Sequence, residues 1–237
     1  MRAQQYEYFI TNSPDERGIN VALLYQRHQF KPVQTCQYEI KFSHKNTRPT
    51  RNFLHVAGEV LNNDTLDVFV CHFPSRSGGQ RETEPVRLET AAFLRSKADS
   101  LLLVRENAHP NNKSLSEILD AKSIESPIFK NQLYNLFRHH LKKSGFGTYK
   151  YQGKWEILDQ FIVTGNLLMK EHNIHLKESG AEIFNAGFLL ENDKRYYGKK
   201  PYRTNVGPRY LGGFSDHLPI YMDLNIIFKD EPDATLF

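Results

Sequence analysis

The sequence predicts an α+β fold on three observations. Apolar and β-branched runs of strand length outnumber stretches of helical periodicity, the two kinds are interspersed, and no period of about 20 to 50 residues repeats as it would in a solenoid or propeller. No long Gly/Ser or Pro linker separates two halves, so one domain over residues 1–228 with a polar tail over 229–237 is the simplest division.

Taken in order, Gly18 to Tyr25 (GINVALLY) follows a Ser13-Pro14-Asp15 turn signal and reads as a largely buried strand. Phe53 to Leu61 and Leu66 to His72 read as two strands joined by Asn62-Asn63-Asp64, a turn whose Asn and Asp residues tolerate left-handed conformations. Pro85 suits a first helical turn, and Leu88, Ala91, Ala92, Arg95, Ala98, Leu101 and Leu102 recur at the spacing of one helix face, so a helix is predicted from about Glu84. A second helix is predicted over Gln132 to Lys143, with Leu133, Leu136, Phe137 and Leu141 on one face and Gly145 as its stop. Thr148 to Tyr151, Gln152-Gly153, and Trp155 to Thr164 read as a hairpin with a core strand through Ile157, Leu158, Phe161, Ile162 and Val163. Tyr149, Tyr151 and Trp155 are expected as its cross-strand pairs. Residues 192–213 read as a long surface loop, and Leu218 to Ile227 as the last strand.

Composition excludes several classes. Of 237 residues, 39% are apolar and 24% charged, which is ordinary for a globular chain and argues against global disorder. Cys36 and Cys71 are too few for a disulfide framework and fit no paired CxxC zinc pattern. The apolar runs fall short of a membrane helix and residues 1–15 lack a signal-peptide centre, so a soluble, cytoplasmic protein with no membrane partner is expected. Lys+Arg 31 against Asp+Glu 27 gives +4, a mild bias towards anionic partners that does not establish nucleic-acid binding.

Three stretches place reactive side chains where a strand runs into a loop: Cys71-His72-Phe73-Pro74-Ser75-Arg76, Leu158-Asp159-Gln160 and Ser215-Asp216-His217. Each alone fits a structural role as well as a chemical one. Together, and with SPDERGINVALLY at 13–25, HFPSRSGG at 72–79, GTYKYQGKWEILDQFIV at 147–163 and GGFSDHLPIYMDL at 212–224, they resemble a bacterial branch of the endonuclease/exonuclease/phosphatase superfamily. The resemblance runs from near Ser13 nearly to Leu224. It implies a deoxyribonuclease I-like fold, a two-sheet β-sandwich flanked by helices in four α/β/β/α layers, with the site at one end of the sandwich. It also implies a divalent-metal-dependent phosphoester hydrolase that uses Mg²⁺ or Mn²⁺ on a phosphoester substrate, nucleic acid included.

By the same resemblance His217 is the catalytic histidine, acting on the attacking water or the scissile phosphate, with Asp159 orienting it. A carboxylate hydrogen-bonded to one imidazole nitrogen fixes the tautomer and stabilises the protonated ring, which frees the other nitrogen to work. Asp216 resembles a metal-ligand carboxylate, and His72 the second histidine, donating to phosphate. Arg76 is a candidate for a bidentate phosphate contact, with a solvated salt bridge as the alternative.

The family pattern also requires an early strand ending in Asn, a strand bearing a metal-binding Glu, and a Gly-Asp-Phe-Asn motif, none of which the sequence contains. The first two are expected to be lost to an N-terminal truncation. The third is expected to be lost to an internal deletion, because Val104 to Pro110 runs straight into Asn112 where the motif belongs. Cys71 stands where relatives often have Asn. Glu59, Glu84 and Glu156 read as solvated rather than as replacement ligands.

An impaired site is therefore expected, beside two alternatives: a catalytically inactive remnant that binds phosphate or nucleic acid, and a truncated gene product. For binding, Lys194, Arg195, Tyr196, Tyr197, Lys199, Lys200, Tyr202, Arg203, Arg209 and Tyr210 interleave cations with aromatic rings. A solvated loop pinned to the core by its tyrosines explains the same pattern.

Overall fold

The structure is a computed structural model describing residues 5–43, 47–75, 79, 81–103, 118–138, 145 and 147–228. Within these residues the chain is α+β, as expected: strands in several small sheets and one α-helix. It divides into two compact units, Met1–Asp120 with Ile226–Phe237, and Ala121–Asn225. No helix among the described residues is long and apolar enough to cross a membrane.

The first unit opens with β1 (Tyr6–Ile10) antiparallel to β2 (Ala22–Gln26). β2 is shorter than the predicted Gly18–Tyr25 and not largely buried: its side chains alternate between exposed and half-buried, with Leu24 65% exposed. The reason is pairing, since the described ribbon has two strands, and its outward face meets water. β3 (Phe30–Tyr38), β4 (Phe53–Val60) and β5 (Thr65–Val70) form an antiparallel sheet in that order. Central β4 is buried at all but one of its residues, and Asn63 takes the left-handed conformation, φ 61°, in the turn that leads to β5. The helix α1 (Glu84–Leu103) begins where predicted, with Glu84 in its first turn, where a carboxylate favours the helix dipole. Phe93 on α1 packs edge-on to Tyr38 and tilted against Phe53, while Ala91 and Thr90 are fully buried and Ala92, expected beside them, is exposed.

In the second unit β6 (Lys122–Ser123), β7 (Leu133–Asn135) and β10 (Ile162–Thr164) form a sheet with β7 in the middle. This corrects the helix predicted from Gln132. Leu133, Tyr134 and Asn135 are all buried in a central strand, and a short apolar run cannot be told from a helix face by periodicity. The Asn135 side chain accepts from the Phe137 amide at 2.9 Å and turns the chain out of the strand. Residues 139–144, the rest of that expected helix, lie outside the described residues, as do the segment 104–117 and the tail 229–237.

β8 (Tyr149–Tyr151) and β9 (Lys154–Glu156) make the predicted hairpin, with Gln152 and Gly153 both at positive φ, as a two-residue hairpin turn requires. The strand expected over Trp155–Thr164 is broken: residues 157–161 are irregular, and β10 starts at Ile162. β11 (Ile174–Ile183) pairs with β16 (Ile220–Ile226). The expected long loop is in fact two small hairpins, β12 (Leu190–Asn192) with β13 (Lys199–Pro201) and β14 (Asn205–Val206) with β15 (Arg209–Tyr210). The core of this unit gathers Tyr134, Leu136, Phe137, Val163 and Ala181, with Ile157, Phe161 and Met222 packed against them.

Candidate active site

The break at 157–161 carries Asp159, and the loop entering β16 carries His217. The organiser between them is Thr148, fully buried just before β8. Its Oγ1 accepts the amides of Leu158 at 3.1 Å and Asp159 at 3.3 Å, so the chain after β9 folds around the hydroxyl instead of continuing as a strand. Its main-chain carbonyl accepts the Leu218 amide at 2.7 Å, and Tyr149 bridges His217 through the backbone. One short segment therefore grips both loops. Gly147 beside it must be glycine, because a Cβ there would lie 2.6 Å from the Glu156 carbonyl oxygen.

The result is a carboxylate–imidazole pair, with His217 Nδ1 2.7 Å from Asp159 Oδ2 and both side chains about a third exposed. Burial pulls the Asp159 carboxyl upward, but hydrogen bonds from His217 and Thr148 and the charge of His217 outweigh it and hold it below the usual carboxylate range. The hydrogen bond to Asp159 raises the His217 imidazole, opposed by burial and by Arg203 and assisted by the charges of Asp159 and Asp216. Both directions favour a charged pair. With Nδ1–H donating to Asp159, Nε2 is the nitrogen left to exchange a proton. The Tyr149 ring packs on the imidazole at 5.0 Å, and the Arg203 guanidinium lies over the same ring, 5.6 Å from its centroid. Tyr149 thus faces Glu156 across the hairpin rather than Trp155 or Tyr151, whose own partners are Lys150 and Lys154.

Of the residues singled out from sequence, the structure joins Asp159 to His217 and sets the exposed Asp216 next to the imidazole. His72 belongs to the first unit, exposed two residues after β5. Burial pushes the neighbouring Cys71 thiol up to about 12, so it is no ready thiolate. Arg76 lies outside the described residues. Thr148 and Arg203 complete the geometry. Thr148 carried no signal beyond its place before a hairpin, whereas Arg203 was legible only as one cation among many. Among the described residues no group of three or more His, Cys, Asp or Glu could hold a metal ion. Asp216 offers one carboxylate where Mg²⁺ demands a near-octahedral oxygen set, so the donors described do not by themselves fit that ion.

The chain is strand-rich α+β, with a histidine–carboxylate pair on its loops. Its structure is similar to the crystal structure of an endonuclease/exonuclease/phosphatase family protein from Bacteroides thetaiotaomicron, with TM-score 0.53 and 14% identity over 92% of this chain and 74% of that one. The model of the Endonuclease/Exonuclease/phosphatase family matches residues 1–226, and the chain belongs to that family. No curated protein matches it.

Proposed function

We propose that this chain is a phosphoester hydrolase of low turnover in which His217 exchanges the proton of the attacking water or the leaving oxygen through Nε2. The 2.7 Å bond from Asp159 to Nδ1 carries this reading, because it fixes the tautomer and stabilises the imidazolium that forms. His72 and Arg76 are proposed phosphate contacts on the strength of the family resemblance, and Asp216 a carboxylate that would hold Mg²⁺ or Mn²⁺ only together with further oxygen donors. A divalent ion, when bound, neutralises charge on the phosphoryl oxygens. The low turnover follows from the absence of Gly-Asp-Phe-Asn between α1 and Asn112, which removes an Asp and an Asn that handle nucleophile and phosphate in the family pattern. The same absence supports a second reading, a phosphate-binding protein without turnover.

The test is hydrolysis of plasmid DNA and of bis(p-nitrophenyl) phosphate by the purified chain in Mg²⁺ or Mn²⁺ against EDTA. Slow, metal-dependent turnover that disappears in His217→Ala supports the hydrolase. Turnover indifferent to that substitution overturns it, and phosphate binding with no turnover favours the second reading.

A further inference from the structure

We propose that the paired hairpins β12–β13 and β14–β15 form a track for single-stranded nucleic acid leading to His217, with cationic side chains on its phosphates and the rings of Phe184, Phe188 and Phe214 under its bases. The proposal deepens the phosphoester reading above and rests on it.

Charge is the first argument. Residues 190–213, which span both hairpins, hold six Lys or Arg against Glu191 and Asp193, so this segment carries +4, the net charge of the whole chain, and the remainder is neutral. Both acids are spent internally: the Asp193 carboxylate is buried, 3.2 Å from Lys150 Nζ, and accepts the amides of Arg195 and Tyr196, while Glu191 lies 3.5 Å from its cross-strand partner Lys200. The protein's entire cationic excess therefore sits on the two hairpins, the electrostatic footprint expected of a phosphate-backbone partner.

Continuity with the candidate site is the second. Arg203, between the hairpins, lies over the Tyr149 ring that packs on His217. Its carbonyl accepts the Gly213 amide at 3.2 Å, and the Tyr202 carbonyl accepts the Phe214 amide at 2.8 Å. A Cβ on Gly213 would stand 2.2 Å from the Tyr202 oxygen, so this close clip depends on glycine. The clip ties the cationic hairpins to the loop that holds Phe214, Asp216 and His217.

The aromatic ledge is the third. Phe214 meets Phe188 edge-on at 5.5 Å, and Phe188 meets Phe184 edge-on at 6.3 Å. Their exposures of 58%, 61% and 44% leave ring surface in water, which is costly unless something covers it. Bases stack on such rings only when unpaired, because a duplex hides their faces; a row of rings beside phosphate-seeking cations therefore selects a single strand.

Fluorescence anisotropy of the full chain with a labelled oligothymidylate about 20 nucleotides long, in EDTA, tests this without requiring turnover. Single-strand binding is expected, weakening about twentyfold between about 50 and about 200 mM salt if three phosphates are contacted. Phe188→Ala or Phe214→Ala should weaken it about tenfold, with Phe188→Trp restoring it. Lys199→Gln with Arg209→Gln should lower the salt slope by about 1.4.

Equal or tighter binding of the matching duplex overturns the proposal, as does an unchanged salt slope. Ledge-dependent binding to phosphatidylcholine vesicles, or ledge-dependent dimerisation in light scattering, without oligonucleotide binding also overturns it, in favour of a lipid surface or a second copy. Hydrolysis of bis(p-nitrophenyl) phosphate separates the two readings. Turnover without strand binding removes the track alone, and strand binding without turnover removes the hydrolase alone.

Discussion

Among the described residues stand two histidine–aspartate pairs of nearly equal length and opposite character. In β4–β5, His55 Nε2 lies 2.8 Å from Asp67 Oδ1, and in the loops of the second unit His217 Nδ1 lies 2.7 Å from Asp159 Oδ2. The His55 side chain is 3% exposed, stacked on Phe69 at 4.4 Å, and its Nδ1 is buried with no hydrogen-bond partner among the described residues. The His217 side chain is 35% exposed, with Nε2 left available. A short carboxylate–imidazole bond is therefore not a sign of catalysis by itself. What sets the proposed catalytic pair apart is a second nitrogen outside the pair's own bond, and a place on loops rather than inside a sheet.

Substitutions can break this comparison. Asp159→Asn keeps the shape but removes the charge that orients His217, and turnover of a phosphodiester should fall about hundredfold or more at an almost unchanged melting temperature. A fall in melting temperature with turnover per folded molecule preserved would make this pair structural, like the other. His55→Ala should do the reverse. It empties a fully packed position under Phe69 and should cost about 2 to 4 kcal/mol in urea unfolding while leaving turnover per folded molecule intact. Gly213→Ala should be milder, about 1 to 3 kcal/mol, because the loop can yield where Cβ meets the Tyr202 oxygen, and oligonucleotide binding should weaken with it.

The smallest effect concerns a third carboxylate. Hydrogen bonds from Arg17 hold Asp15 at about 2 despite burial, helped by the charge of Arg51. A carboxyl depressed in the folded state adds stability above its unfolded value near about 4 and loses it as pH falls through about 2. Acid titration of stability should show that loss in the parent and not in Asp15→Asn.

The sequence was most legible where local chemistry decides structure. Asn63 at positive φ, the Gln152-Gly153 turn and the start of α1 at Glu84 each follow from what one or two residues permit. It was least legible where distant partners decide. Leu133–Asn135 is a strand because β6 and β10 flank it, a fact no window around Gln132 contains. Residues 157–161 leave the strand because the Thr148 hydroxyl, 10 residues away in sequence from Leu158, takes their amides. β1 went unread for the same reason, being held by β2. Asp159 and His217 stand 58 residues apart; strand-end position and family resemblance named both, but only the fold places a carboxylate oxygen on Nδ1. The Lys/Arg/Tyr stretch looked aperiodic because its hairpins are only two or three residues long on each side.

The most direct test sets the two histidines side by side: turnover of bis(p-nitrophenyl) phosphate in Mg²⁺ by His217→Ala and His55→Ala, each corrected for its folded fraction. A loss of about hundredfold or more in the first, with the second within about twofold of the parent, is the expected result. No turnover by the parent, or equal rates in the two variants, would contradict the account.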